Sequence, residues 1–66
     1  MREYEKLRIR ETIAAIKFMR KMKFDKYVII NNLDSTIEKL RINASNDFIS
    51  YLFDIRQKVV LDKEIK

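Results

Sequence analysis

Five residue types are missing from this 66-residue chain: Cys, His, Gly, Pro and Trp. Each absence closes a route. Without Cys or His there is no disulfide and no ordinary zinc site, the two common supports of a fold this small. The same two absences remove the usual general base near neutral pH and the strongest side-chain nucleophile. Without Gly, a phosphate-cradling loop or a dinucleotide fingerprint cannot be built. The remaining carboxylate pairs are poor substitutes. Asp62 and Glu64 point to different sides of a helix, and Glu38 reads as a capping or solvated residue. An enzyme is therefore not expected, nor a cofactor, a bound metal or a small-molecule substrate.

The lack of Gly and Pro also shapes the backbone. Nothing interrupts a helix from inside, short β-hairpins are disfavoured, and turns that need positive φ fall to Asn and Asp. No uninterrupted apolar run approaches the ~20 residues that cross a bilayer, and charge occupies the start of the chain where a signal peptide carries its apolar core. The expected localisation is cytoplasmic. Asn43-Ala44-Ser45 matches a glycosylation sequon but reads better as a turn. Ile outnumbers Leu ten to five, a bias that points to an A/T-rich genome such as that of a low-GC bacterium, its phages or plasmids.

What is present is apolar and charged in quantity, at 47% and 38% of residues. That is the composition of a folded domain and not of a disordered tail. A chain this short buries only ~60% of the surface its unfolded form exposes, so oligomerisation is the support left open. One domain, residues 1–66, is expected.

Three helices are expected, at about 3–22, 26–42 and 46–63, forming an all-α three-helix bundle. In the second, Ile30, Leu33, Ile37, Leu40 and Ala44 repeat at heptad spacing with Ile29 beside them. A rival start at Ser35, which forms a capping box with Glu38, would leave 27–30 extended. The phase running across Asn31-Asn32 favours one continuous helix. The third helix starts near Ser45-Asn46-Asp47, whose short polar side chains suit an N-terminus. It carries two apolar stripes: Phe48, Leu52, Ile55 and Val59 with Tyr51, and Ile49, Phe53 and Val60 about 100° away.

The first helix repeats this doubling. Leu7, Ala14, Phe18 and Met22, with Tyr4, Ala15 and Met19 alongside, form a broad arc, while Ile9, Ile13 and Ile16 lie on another side. A lone three-helix protomer needs one apolar face per helix, so the second stripes are expected to meet a partner. The expected interface is Ile9, Ile13, Ile16, Ile49, Phe53 and Val60, in a homodimer or against a protein client. Hiding Ile49, Phe53 and Val60 would contribute ~5–8 kcal/mol before the costs of association. In an alternative topology, helices 1 and 2 fuse into a long rod within an intertwined dimer. Asp25, placed as an N-cap after Phe24, favours a break.

All of the net charge of +5 lies in the first third of the chain. Lys17, Arg20, Lys21, Lys23 and Lys26 fall within ten residues with Asp25 the sole acid among them. This cluster is the candidate for nucleic-acid phosphates, through the C-terminal end of helix 1. Lys and Arg are favoured there by the helix dipole in any case. A helix-turn-helix built on helices 2 and 3 is not expected, because the start of helix 3 offers no cation before Arg56. Phe48, Tyr51 and Phe53 read as packing rather than base-stacking residues, and Met19 and Met22 as gap-filling. Docking of helix 1 on a membrane is not expected, since Glu3, Glu5 and Glu11 interrupt its first half. The function these features favour is a small regulatory or adaptor protein acting by helix-mediated protein–protein interaction, with nucleic-acid binding as the rival.

Overall fold

The computed structural model describes residues 1–65 and contains three helices: α1 (Glu3–Lys21), α2 (Lys26–Leu40) and α3 (Asn46–Val60). Among the described residues there is no strand, and no helix is long and apolar enough to cross a membrane. Each helix stops one to three residues before the end expected from the apolar pattern. The reason is a left-handed residue just beyond each terminus: Lys23 (φ 60°), Asn43 (φ 60°) and Asp62 (φ 57°). After α1, the Lys23 N–H donates to the Arg20 carbonyl and the Phe24 N–H to that of Met19, both at 3.0 Å. After α3, Asp62 donates to Val59 at 3.1 Å and Lys63 to Lys58 at 2.8 Å. These paired bonds are Schellman turns, which favour Gly at the left-handed position. In a chain without Gly, Asn and Asp take two of the three positions, as expected; Lys takes the other at a steric cost.

The helix starts are equally defined. Asp25 caps α2, its Oδ1 accepting the Tyr27 N–H at 2.8 Å. The segment 27–30 lies within continuous helix and Ser35 sits exposed inside it, so no second start occurs there. At α1, Glu5 in the first turn reaches back to the Arg2 N–H at 3.0 Å. The same carboxylate accepts the Ser45 N–H at 3.0 Å and the Ser45 hydroxyl at 2.5 Å. Ser45, the residue preceding α3, therefore gives its hydroxyl to α1 instead of capping its own helix.

The core is built from one stripe of each helix. From α2 come Ile29, Ile30, Leu33 and Ile37; from α3 come Phe48, Leu52, Ile55 and Val59. Leu40 and Ala44 continue the α2 seam as partly buried residues packed against this core. An ion pair ties α2 to α3, with Arg56 donating to Asp34 through Nε at 2.6 Å and a second guanidinium nitrogen at 3.3 Å. After α3 the chain turns back, and Ile65 is buried in the same core.

From α1 the core takes Ile9, Ile16 and Met19. This reverses the emphasis of the sequence pattern, in which the broad arc through Leu7 and Phe18 was the longer of the two. The physical reason lies in the neighbours on the helix. Glu5, Ile9 and Ile16 project within about 40° of one another at 100° per residue, so the face that brings Glu5 to Ser45 is the Ile face.

Candidate functional site

Of the six residues expected at an interface, Ile9 and Ile16 are buried in the protomer's own core, Ile16 to 1% exposure. Ile13, Ile49 and Val60 are partly buried and packed against that core. Phe53 alone stands out into solvent, at 52% exposure.

The five cations at the end of α1 also divide. Arg20 donates to the Lys63 carbonyl at 2.8 Å. Lys26 donates to the Val60 carbonyl at 3.2 Å and pairs with Asp62 at 3.0 Å. Both side chains thus satisfy carbonyls in and just beyond the last turn of α3, where cations are favoured by unpaired carbonyls and the dipole. Lys17, Lys21 and Lys23 are exposed and take part in no ion pair among the described residues.

Lys17 belongs to a different arrangement. Between α1 and α3 runs an open groove of about 630 Å³. Its apolar lining is Met1, Ile9, Ile13, Ala14 and Tyr51; its cations are Lys6, Arg10 and Lys17. On α1 these three cations lie within about 40° of one another, between the core face and the outer face. Of the three, only Lys6 has an acid within ion-pair distance among the described residues, Glu3 at 3.4 Å. Beyond this strip the outer face of α1 exposes Tyr4, Leu7, Phe18 and Met22, with Phe18 at 59%. Aligned with Ala14, they form a near-heptad stripe on the side of the helix away from its core. Around the α1 axis the order is thus Ile9 and Ile13, the cationic strip, and an outer apolar stripe that begins at Ala14 and is interrupted by exposed Glu11.

Electrostatics are sharpest at the start of α1. Donation from the Ser45 hydroxyl, and then from the Ser45 and Arg2 N–H groups, holds the Glu5 carboxyl below its ordinary value against the opposing effect of burial. Asp47 is held down as well, by the Ser45 side chain and by the N-terminal ammonium 3.3 Å away. Arg2 adds a bond to the Asn43 carbonyl at 3.0 Å. All of these groups hold the start of α1 against the α2–α3 turn. Their role is structural.

No known protein family, curated protein or solved structure matches the chain. Its surface is therefore the whole basis for a functional reading. Lys6, Arg10 and Lys17 share a polar strip of α1 by helical spacing alone, whereas Tyr51 joins them only when α1 lies against α3. The outer stripe was visible as an apolar arc; what the pattern lacked was a sign of which arc faces outward.

Proposed function

We propose that this chain is a small, non-enzymatic adaptor that works by docking an α-helix of another protein along α1. The observation that carries this reading is the open groove beside α1, in which Lys6, Arg10 and Lys17 lie among the apolar side chains of Ile9, Ile13, Ala14 and Tyr51. An amphipathic helix laid in such a groove buries its apolar face and extends the three-helix bundle by a fourth member. The groove's cations select for acidic residues on the flank of that helix. A regulatory role follows if the docked helix has another use in the partner.

The test uses a designed peptide with Leu at helical spacing and Glu along one flank, titrated while backbone resonances are followed by NMR. Shifts concentrated at Ile13, Ala14 and Tyr51, and weakened by Arg10→Glu/Lys17→Glu, support the reading. Absence of shifts there, or equal binding of a Lys-flanked peptide, overturns it.

Self-association is the other arrangement expected from the sequence, and its surface on this protomer is Phe53 with Ile49 and Val60 beside it. Sedimentation reads it directly. A dimer that dissociates on Phe53→Asp supports it, and a monomer in both proteins removes it. A nucleic-acid reading is favoured by the unpaired Lys17, Lys21 and Lys23. Three phosphate contacts would give a salt slope of about −2.7 on duplex DNA. No DNA binding at low salt removes that reading.

A further inference from the structure

One end of the bundle combines two properties that the groove does not. The α1–α2 turn, the first turn of α2 and the end of α3 meet there, as the contacts of Arg20 with Lys63 and of Lys26 with Val60 and Asp62 establish. At this end Met22, Phe24, Tyr27, Val28 and Leu61 are all exposed large apolar residues, Tyr27 at 68%. Exposed lysines surround them: Lys21, Lys23 and Lys63, with Lys17 one turn further back. The nearby acids are partly answered from within. Asp62 pairs with Lys26 and Asp25 accepts the Tyr27 N–H, which leaves Asp25 and Glu64 as the exposed acids without an ion pair among the described residues.

We infer that this end of the bundle is a docking tip for an anionic lipid bilayer, with Met22, Phe24, Tyr27, Val28 and Leu61 entering the interface and Lys21, Lys23 and Lys63 meeting lipid headgroups. Charge complementarity decides for an anionic surface, since four exposed lysines face two exposed acids, Asp25 and Glu64, that have no ion pair among the described residues. Shape decides among anionic partners. The apolar side chains come from a turn and two helix ends, and the crevice beside them holds only about 120 Å³. A rigid protein would need a matching cavity to cover such a tip, whereas a bilayer deforms around it. Nucleic-acid phosphates would satisfy the lysines but leave five apolar side chains in water. Lysines with long apolar stems and a tyrosine with a polar tip are suited to the depth where acyl chains give way to headgroups. The inference shares only Lys17 with the groove along α1, and none of its apolar residues.

The experiment is co-sedimentation of the whole chain with vesicles of two parts phosphatidylcholine to one part phosphatidylserine, and with phosphatidylcholine vesicles alone. Binding to the anionic vesicles, weakened by added salt and weak on the neutral ones, is the expected result. Lys21→Glu/Lys23→Glu is expected to lower that binding by at least about thirtyfold, the value for losing two surface cations before the repulsion of two added carboxylates. Tyr27→Ser/Val28→Ser, at exposed positions and with helicity checked by circular dichroism, is expected to lower it by about tenfold. Leu7→Ser, on the outer stripe of α1, is expected to leave it unchanged. Equal binding to both vesicle types, or none to either, overturns the inference. So does anionic-vesicle binding that survives Tyr27→Ser/Val28→Ser, or that Leu7→Ser abolishes. Retention on duplex DNA without vesicle binding assigns the lysines to phosphates and overturns it equally.

Discussion

The Glu5 carboxylate is fully buried and accepts both the backbone N–H and the hydroxyl of Ser45, 40 residues away. With the Arg2 N–H on the same carboxylate, one side chain joins the starts of α1 and α3. Glu5→Gln puts an amide N–H2 where an acceptor is needed, against a backbone donor. The variant is expected to be less stable in chemical denaturation and to lose hydrogen-exchange protection at Ser45. The sign of the pH effect follows from the direction of the shift. The folded carboxyl titrates below the unfolded one, which lies near about 4.3, so its stabilisation is present above that value and is lost as pH falls through the folded value. Stability of the wild type is expected to drop in this acid window more steeply than that of Glu5→Gln.

Lys23 is held at φ 60° by a Schellman turn. Gly has no Cβ to clash there, and its gain outweighs the added freedom of the unfolded chain. Lys23→Gly is expected to stabilise the protein by about 0.5–1 kcal/mol in urea unfolding. Met22→Gly, one residue earlier at φ −81°, serves as the contrast and is expected to destabilise.

The two apolar faces of α1 are distinguished by substitution. Ile16 is buried in the core and Leu7 is exposed on the outer stripe. Ile16→Ala is expected to cost about 2–5 kcal/mol, whereas Leu7→Ser stays within about 0.5 kcal/mol of the wild type. Equal effects at the two positions would show that α1 is rotated from the orientation described.

Adjacent residues on α3 make the same contrast. Leu52 is fully buried while Phe53 is exposed. Leu52→Ala is expected to lose about 2–5 kcal/mol, a large part of the stability of so small a domain. Phe53→Ser is expected to leave the unfolding midpoint of a dilute sample nearly unchanged.

The basic cluster is expected to split in the same measurement. Lys26 bonds the end of α3, and Lys26→Ala is expected to cost about 1 kcal/mol. Lys17→Ala, in the open groove, is expected to leave thermal stability as it is.

Much of the architecture is legible in the residues alone. The heptad seam of α2 and the Phe48-Leu52-Ile55-Val59 stripe of α3 each enter the core, because period and hydrophobicity specify which side of a single helix avoids water. Asp25 marks its N-cap by chemistry that needs no tertiary context. The helix ends are less legible, since Lys23 carries no mark of a left-handed conformation. The phase of α1 is not legible at all: with two apolar arcs, hydrophobicity is satisfied either way. What separates them is Glu5, whose burial is tolerable only where Ser45 and Arg2 supply donors, and Ser45 reaches it from the far end of the α2–α3 turn.

The division has a physical cause. Propensity, caps and periodicity are local free energies, set within a few residues along the chain, and they determine three helices and a core stripe on each of the last two. The face α1 turns inward, the retention of Arg20 and Lys26 at the end of α3, and the groove of Ile13, Tyr51 and Lys17 depend on groups distant in sequence. Only the packed helices bring those groups within bonding distance, so only the tertiary structure decided them.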